Sequence, residues 1–410
     1  MHRWVGLVIA GFLLIAGITG SVIAFFADLD AALNPELFRV EPPAAGAPLL
    51  DPLELQARIL RQLPAGGDLR GVVLDLREGE SANYYFNERE NFFDPYTGRA
   101  LGSRNFGDLS EGKQNLLTFV YRLHYSLALG DVGVYVFGVV ALLWTIDCFV
   151  GAYLTFPVAT PAAGARPRGA WLRRWARAWG IETKQLFSLV FTWHRASGLW
   201  VWGMLLVFAW SAVALNLGEQ VYEPLMNRVL PHTEQPEPPA IDPPRQHPQL
   251  GVAAALERGR ELMASEAKQR GFRIFREKYL DYDPEHGAYW LTVESSLDIG
   301  ERLADTAVMF DGDAGQLLAF RSPTTEGARK TFDRWLIALH FGTWREGGIV
   351  YRAFVCVMGA MVSLLSITGV WIWWRKRMKR MKSARRATAR STGSDGSRSA
   401  RRADDLLQAR

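Results

Sequence analysis

Of the seven histidines in this 410-residue chain, four stand in settings that occur twice. His2 and His194 each open the pattern H-R-x-x-G-L ("HRWVGL" and "HRASGL"), and His124 and His340 each follow a leucine and precede an aromatic ring ("LHY" and "LHF"). The other three, His232, His247 and His286, lie in polar stretches and are expected to be solvated. Imidazole titrates near neutral pH and is a common metal ligand. Two histidines per site, with no Cys, Asp or Glu beside them at ligand spacing, are too few for zinc, which takes four donors or three and a water. They suffice for haem, because the porphyrin supplies four nitrogens and leaves two axial positions for which imidazole is a usual ligand. One histidine from each copy of a pattern makes a pair. The expectation is two haems, one with its iron on His2 and His194 and one on His124 and His340.

The flanking residues extend these sites. Gly6 and Gly198 follow His2 and His194 by one helical turn on the same face, where a missing side chain leaves room for a flat macrocycle. The same glycines would serve equally for close helix packing in a membrane. Arg3 and Arg195 could pair with haem propionates through charge-assisted hydrogen bonds, or act as ordinary cytoplasmic anchors. Arg122 and Arg334 are weaker candidates of the same kind near His124 and His340. A lone histidine at a membrane interface is solvated easily and means little. Four at matching positions, in two pairs, point to function.

The elements that must hold these residues are apolar helices. Four segments, Trp4 to about Phe26, Val132 to Phe156, Leu186 to Leu217 and Ile349 to Trp374, each reach the roughly 20 residues that cross about 30 Å of hydrocarbon. The first is longer than the apolar part of a signal peptide and "AFFADLD" is a poor cleavage site, so it reads as an uncleaved anchor. Basic residues crowd the connection between the second and third segments ("ARPRGAWLRRWARAWGIETK") and the start of the tail ("RKRMKRMKSARR"), which places both on the cytoplasmic side. The two long connections carry more Asp and Glu than Lys and Arg and lie outside. The net charge of +5 is thus a topology signal and no argument for nucleic acid. Cys148 and Cys356 each fall inside a span with no local partner, against a disulfide framework. Beyond Lys382 the Ser-, Arg- and Ala-rich tail is expected to be disordered.

Self-comparison organises the whole chain. Each exterior connection has a helical stretch ("DPLELQARILRQL", "GVAAALERGRELMASEAKQRG"), then alternating strand-like runs, then a turn with Asp and Gly ("FFDPYTGRALGSR", "VMFDGDAGQLLAFR"). The fold class is therefore a membrane α-helical protein of four transmembrane helices in a tandem repeat, with two exterior α+β domains. In residues, these are span one (1–27), exterior domain one (28–118), an interfacial helix with span two (119–158), and the cytoplasmic loop (159–185). Span three (186–217), exterior domain two (218–334), an interfacial helix with span four (335–375) and the tail (376–410) complete the chain.

These motifs, from "HRWVGLVIAGFLLIAGITGSVIAFFADLDAALNPEL" through "FFDPYTGRALG", "LHYSLALG" and "HRASGLW" to "LHFGTW" with "SITGVWIWWRKR", resemble the PepSY-associated transmembrane helix proteins over most of the chain. That family lies in the bacterial inner membrane and includes iron-regulated siderophore reductases. The resemblance implies PepSY-like periplasmic domains, two b-type haems held by histidine pairs, and reduction of periplasmic ferric siderophore to release Fe(II). Family members carry several residues ahead of H-R-x-x-G-L where this chain has only Met1, which a start upstream would explain.

The cytoplasmic loop and tail are too short or too simple to fold a flavin or nicotinamide domain, and no G-x-G-x-x-G follows a strand. The electron donor is thus expected to be a separate partner, a membrane quinol or a cytosolic reductase. Two other readings compete: electron delivery to a different periplasmic acceptor, and a non-enzymatic anchored PepSY module acting as a binding or inhibitory surface. No catalytic residue or substrate pocket can be named from the sequence.

Overall fold

The computed structural model describes residues 1–63, 69–158, 169–231, 238–301 and 305–408; His232 and much of the loop expected at 159–185 lie outside them. Helix α1 (His2–Ile23) is almost wholly apolar and is followed by the short α2 (Phe26–Leu33) and α3 (Pro35–Phe38). Asp51 caps α4 (Pro52–Leu60), its carboxylate accepting from the amides of Leu53 and Glu54 with Pro52 at the first helical position. Strands β1 (Val72–Val73), β2 (Ala82–Phe86), β3 (Arg89–Phe93) and β4 (Ala100–Arg104) lead to α5 (Leu116–Ser126) and the long α6 (Gly130–Leu154). The basic connection contains α7 (Ala170–Ala176). Then come α8 (Leu186–Trp200), α9 (Trp202–Asn216), α10 (Glu223–Val229) and α11 (Val252–Arg270). Strands β5 (Ile274–Asp283), β6 (Ala288–Ser295), β7 (Thr306–Asp311) and β8 (Leu317–Arg321) precede α12 (Ala328–Phe341) and α13 (Gly348–Gln408).

Among the described residues three helices, α1, α6 and α13, are long and apolar enough to cross a membrane, and α8 with α9 would make a fourth. The third span expected as one helix over 186–217 is instead two helices bent by 69°. Val201, at φ −106° and ψ 10°, interrupts the helix. One turn before it Ser197 returns its hydroxyl to the Trp193 carbonyl at 2.7 Å, a bond that bends helices. From residue 384 on, the tail expected to be disordered lies outside the residues whose side chains the structure describes.

The chain divides into two compact units. One comprises Met1–Leu14, Leu143–Leu206 and Met361–Arg410, and the other Ile15–Leu142 with Val207–Ala360. In the first, the Trp202 indole donates to the Cys148 carbonyl at 2.9 Å, joining the start of α9 to α6. In the second, α1 and α13 approach closely through small residues: Ser21 donates to the Cys356 carbonyl at 2.8 Å, and a Cβ on Gly359 would meet the Gly17 carbonyl at 2.6 Å.

The second unit also holds all the described strands. β2-β3-β4 form an antiparallel sheet, with Leu55 and Ile59 of α4 and Tyr84 and Phe86 of β2 in its core. The other sheet runs β1-β5-β6-β7-β8, and Leu256 and Met263 of α11 pack with Leu291, Val308 and Phe310. The two α+β domains expected at 28–118 and 218–334 therefore share a sheet. Val72 and Val73 pair with Leu280 and Tyr279, so β1 of the first segment satisfies part of the open edge of β5. The two Asp/Gly turns are built alike. Asp94 and Asp311 each accept two amides two and three residues on, and Gly98 and Gly315 adopt φ of +78° and +65°.

The first sheet is tied to the exit of α1 by a buried cation. Arg104, 1% exposed, holds both Asp30 oxygens of α2 and Glu90 of β3, between the rings of Phe38 and Phe92. Arg329 of α12 plays a similar part at α10, meeting Glu223 at 2.9 Å and Asp333 at 2.9 Å.

Candidate functional site

His124 lies on α5 and His340 on α12, and their ring centroids are 6.2 Å apart, nearly edge to face. Two metal–imidazole bonds of about 2 Å laid end to end, with the half-width of each ring added, span a similar length. Each imidazole is held from a neighbouring helix. His124 Nδ1 lies 3.1 Å from the Ala16 carbonyl and 3.0 Å from the Thr19 hydroxyl on α1, and His340 Nδ1 meets the Ser211 hydroxyl on α9. Burial among apolar neighbours pushes both imidazoles well below the usual histidine pKa, which keeps them neutral. Gly20 makes the close fit possible: a Cβ there would stand 2.9 Å from His124 Cε1.

His2 and His194 line one cavity of about 440 Å³ between α1, α6, α8, α9 and α13. That volume falls within the range of pockets that hold small molecules and cofactors, about 300–1,000 Å³. His2 Nδ1 lies 2.9 Å from Asp147 Oδ2 on α6, and His194 Nδ1 lies 2.8 Å from the Thr368 hydroxyl on α13. The wall carries glycine on four helices: Gly6, Gly151, Gly198 and Gly369. A Cβ on Gly369 would reach 3.3 Å from His194 Cε1, and one on Gly151 3.6 Å from His2 Cε1.

The hydrogen bonds set the tautomer of every ring. Thr368 donates its own proton to the Leu364 carbonyl at 2.7 Å, and Ser211 donates its proton to Phe208 at 3.0 Å, so each hydroxyl can only accept from the histidine. Carbonyl and carboxylate oxygens, at His124 and His2, likewise accept. In all four rings Nδ1 thus faces an acceptor oxygen, which leaves Nε2 as the nitrogen available to a ligand. A ligating histidine held by a hydrogen bond on its other nitrogen is the arrangement that orients metal ligands. Among the described residues no cluster of three or more His, Cys, Asp or Glu is placed to hold a metal ion. A haem brings its own equatorial donors and would need only a pair of imidazoles.

The family model for the PepSY-associated TM region matches residues 1–376. This chain belongs to the PepSY-associated TM family. It is a membrane protein, and the matched range takes in all four of these histidines. No curated protein matches it.

The arginines of this PepSY-associated chain divide. Arg3 lines the cavity with its guanidinium 4.7 Å from the Trp4 ring. Arg195 also lines it, but Nε donates to the Ala178 carbonyl at 3.0 Å and Nη2 to the Arg177 carbonyl at 3.0 Å, so it chiefly anchors the basic connection that contains α7. Arg122 packs its aliphatic stem on Gly107, and Arg334 pairs with Asp305 at 2.9 Å. His247 is exposed, as expected, whereas His286 is half-buried and bonded to Asp283 at 2.6 Å.

Asp147, Thr368, Gly151, Gly369 and Lys376 line the cavity or hold its histidines and were not singled out from sequence. Thr19 and Ser211 had a readable signal. The same number of residues separates His2 from Thr19 as separates His194 from Ser211.

Proposed function

We propose that this PepSY-associated membrane protein is an inner-membrane electron carrier with two b-type haems, one between His2 and His194 and one between His124 and His340. The supporting observation is that all four imidazoles are held through Nδ1–H in the tautomer that offers Nε2 to a metal, and converge in two pairs. In this reading the two halves of the chain are a tandem repeat of four spans with both termini in the cytoplasm. The strand-bearing exterior segments then lie in the periplasm.

Haem iron so ligated exchanges single electrons between Fe(III) and Fe(II). The chain's own residues set the conditions for that exchange. The helices enclose the His124 and His340 rings, Thr19, Ser211 and Thr368 fix imidazole orientation, and Gly6, Gly20, Gly151, Gly198 and Gly369 leave space against the helix walls. Arg3 and Lys376, on the wall of the His2–His194 cavity, are the cations available to propionates there. The acceptor we assign is a periplasmic ferric siderophore, one electron per iron, with release of the more weakly chelated Fe(II). The donor is a separate quinol or cytosolic reductase.

The experiment is an optical spectrum of the detergent-purified protein, oxidised and dithionite-reduced, with haem counted per chain. Two b-type haems that reoxidise on addition of ferric siderophore are expected. His124→Ala or His340→Ala should remove one haem and His194→Ala the other. Full haem content in all three variants would reject the ligand assignment.

A further inference from the structure

The four histidines differ in one respect. His124, His194 and His340 bond neutral acceptors, the Ala16 carbonyl with the Thr19 hydroxyl, Thr368 and Ser211. His2 alone bonds a carboxylate, Asp147 Oδ2 at 2.9 Å. Asp147 is 9% exposed, on a helix apolar enough to cross a membrane. Its second oxygen, Oδ1, is buried with no hydrogen-bond partner. Among the described residues no Lys or Arg is ion-paired to it. An isolated carboxylate in such a place is costly and is a mark of function.

We propose, resting on the two-haem reading above, that Asp147 is a positioning residue that acts through His2 to lower the reduction potential of the His2–His194 site below that of the His124–His340 site. The physical reason is ligand basicity. An Nδ1–H directed at an anion makes Nε2 a stronger donor than one directed at a hydroxyl or carbonyl, and a stronger donor favours Fe(III) over Fe(II). The negative charge of Asp147 acts in the same sense, and the low dielectric around it strengthens the effect; Arg3, Arg195 and Lys376 line the same cavity, but none of them is ion-paired to that carboxylate among the described residues. An electron entering at the His2–His194 site would then pass downhill to the other. The direction of transfer is thus written into one side chain.

The test is a spectroscopic redox titration of the full-length haem-loaded protein in detergent. The component that vanishes in His194→Ala identifies the His2–His194 site. Asp147→Asn should move that component to higher potential, on the order of tenfold in its reduction equilibrium, which is about 59 mV for a one-electron couple. The other component should stay in place, and Asp147→Glu should restore the wild-type value. Retention of both haems in Asp147→Asn with this component unmoved, or moved lower, overturns the proposal. Should Asp147→Asn lose a haem, Thr368→Asp decides. A carboxylate given to His194 should lower the same component, and no shift there overturns the proposal as well. Wild-type protein without haem would instead reject the reading on which this rests, and the proposal with it.

Discussion

At the scale of single residues, this protein holds imidazoles by donating Nδ1–H to an oxygen on the next helix. Ser211 is a clean test, because its hydroxyl is buried and its own proton goes to Phe208. Ser211→Ala leaves His340 free to rotate and change tautomer. We expect haem affinity at the His124–His340 site to fall about 10–100-fold, the usual cost of losing such an orienting partner. Ser211→Thr should retain it, as Thr19 does in the other half. Gly20→Val should have a larger effect, since its Cβ would stand 2.9 Å from His124 Cε1 and its branches nearer still. Haem counting should show about one haem per chain in that variant, with the His194-dependent component intact; two would mean that the cradle is not needed.

At the scale of elements, the hairpin turns and the buried arginines carry the exterior segments. Gly315 has φ +65°, and a Cβ there also comes within 3.0 Å of Arg258 Cγ. Gly315→Val places a β-branched residue in the left-handed region, at a cost of about 1–3 kcal/mol. Thermal melting should show a lower midpoint with the haem spectrum unchanged below the transition. Arg104→Leu is expected to cost more, about 3–5 kcal/mol, because it leaves Asp30 buried and unpaired. A denaturant titration should detect that loss. A stability equal to wild type would mean that Asp30 finds water or a proton. The sheet shared by β1 and β5 has its own consequence, since the first exterior segment supplies an edge strand to the second. Expressed alone, the second segment would expose that part of the β5 edge.

At the scale of the whole molecule, charge decides topology. Basic residues gather in the connection around α7 and after Trp374, while the strand-bearing segments carry the acidic excess. A reporter fused after Arg410 should therefore read cytoplasmic, and one inserted between the exposed Gln246 and His247 should read periplasmic. The opposite result at either position would invert the assignment of sites to membrane faces. It would reverse the physiological direction of any electron relay without touching the histidine pairs.

The pairing of four histidines, the apolar helices, the exterior helix-and-strand order and the two Asp/Gly turns were legible in the sequence because each is local or repeated. A helix of one residue type needs no distant partner, and a duplicated motif points to its own copy. What tertiary structure decided was every contact between residues far apart in the chain. Asp147 stands 145 residues from His2 and resembles an ordinary intrusion in an apolar run until α1 and α6 are brought together. The break at Val201 reads as continuous helix, because Trp200 and Trp202 suit either side of a bend. The β1–β5 pairing joins segments that sequence comparison places in separate domains. Periodicity reports which face of an element is apolar; only packing determines which oxygen that face meets, and that oxygen fixes the histidine tautomer.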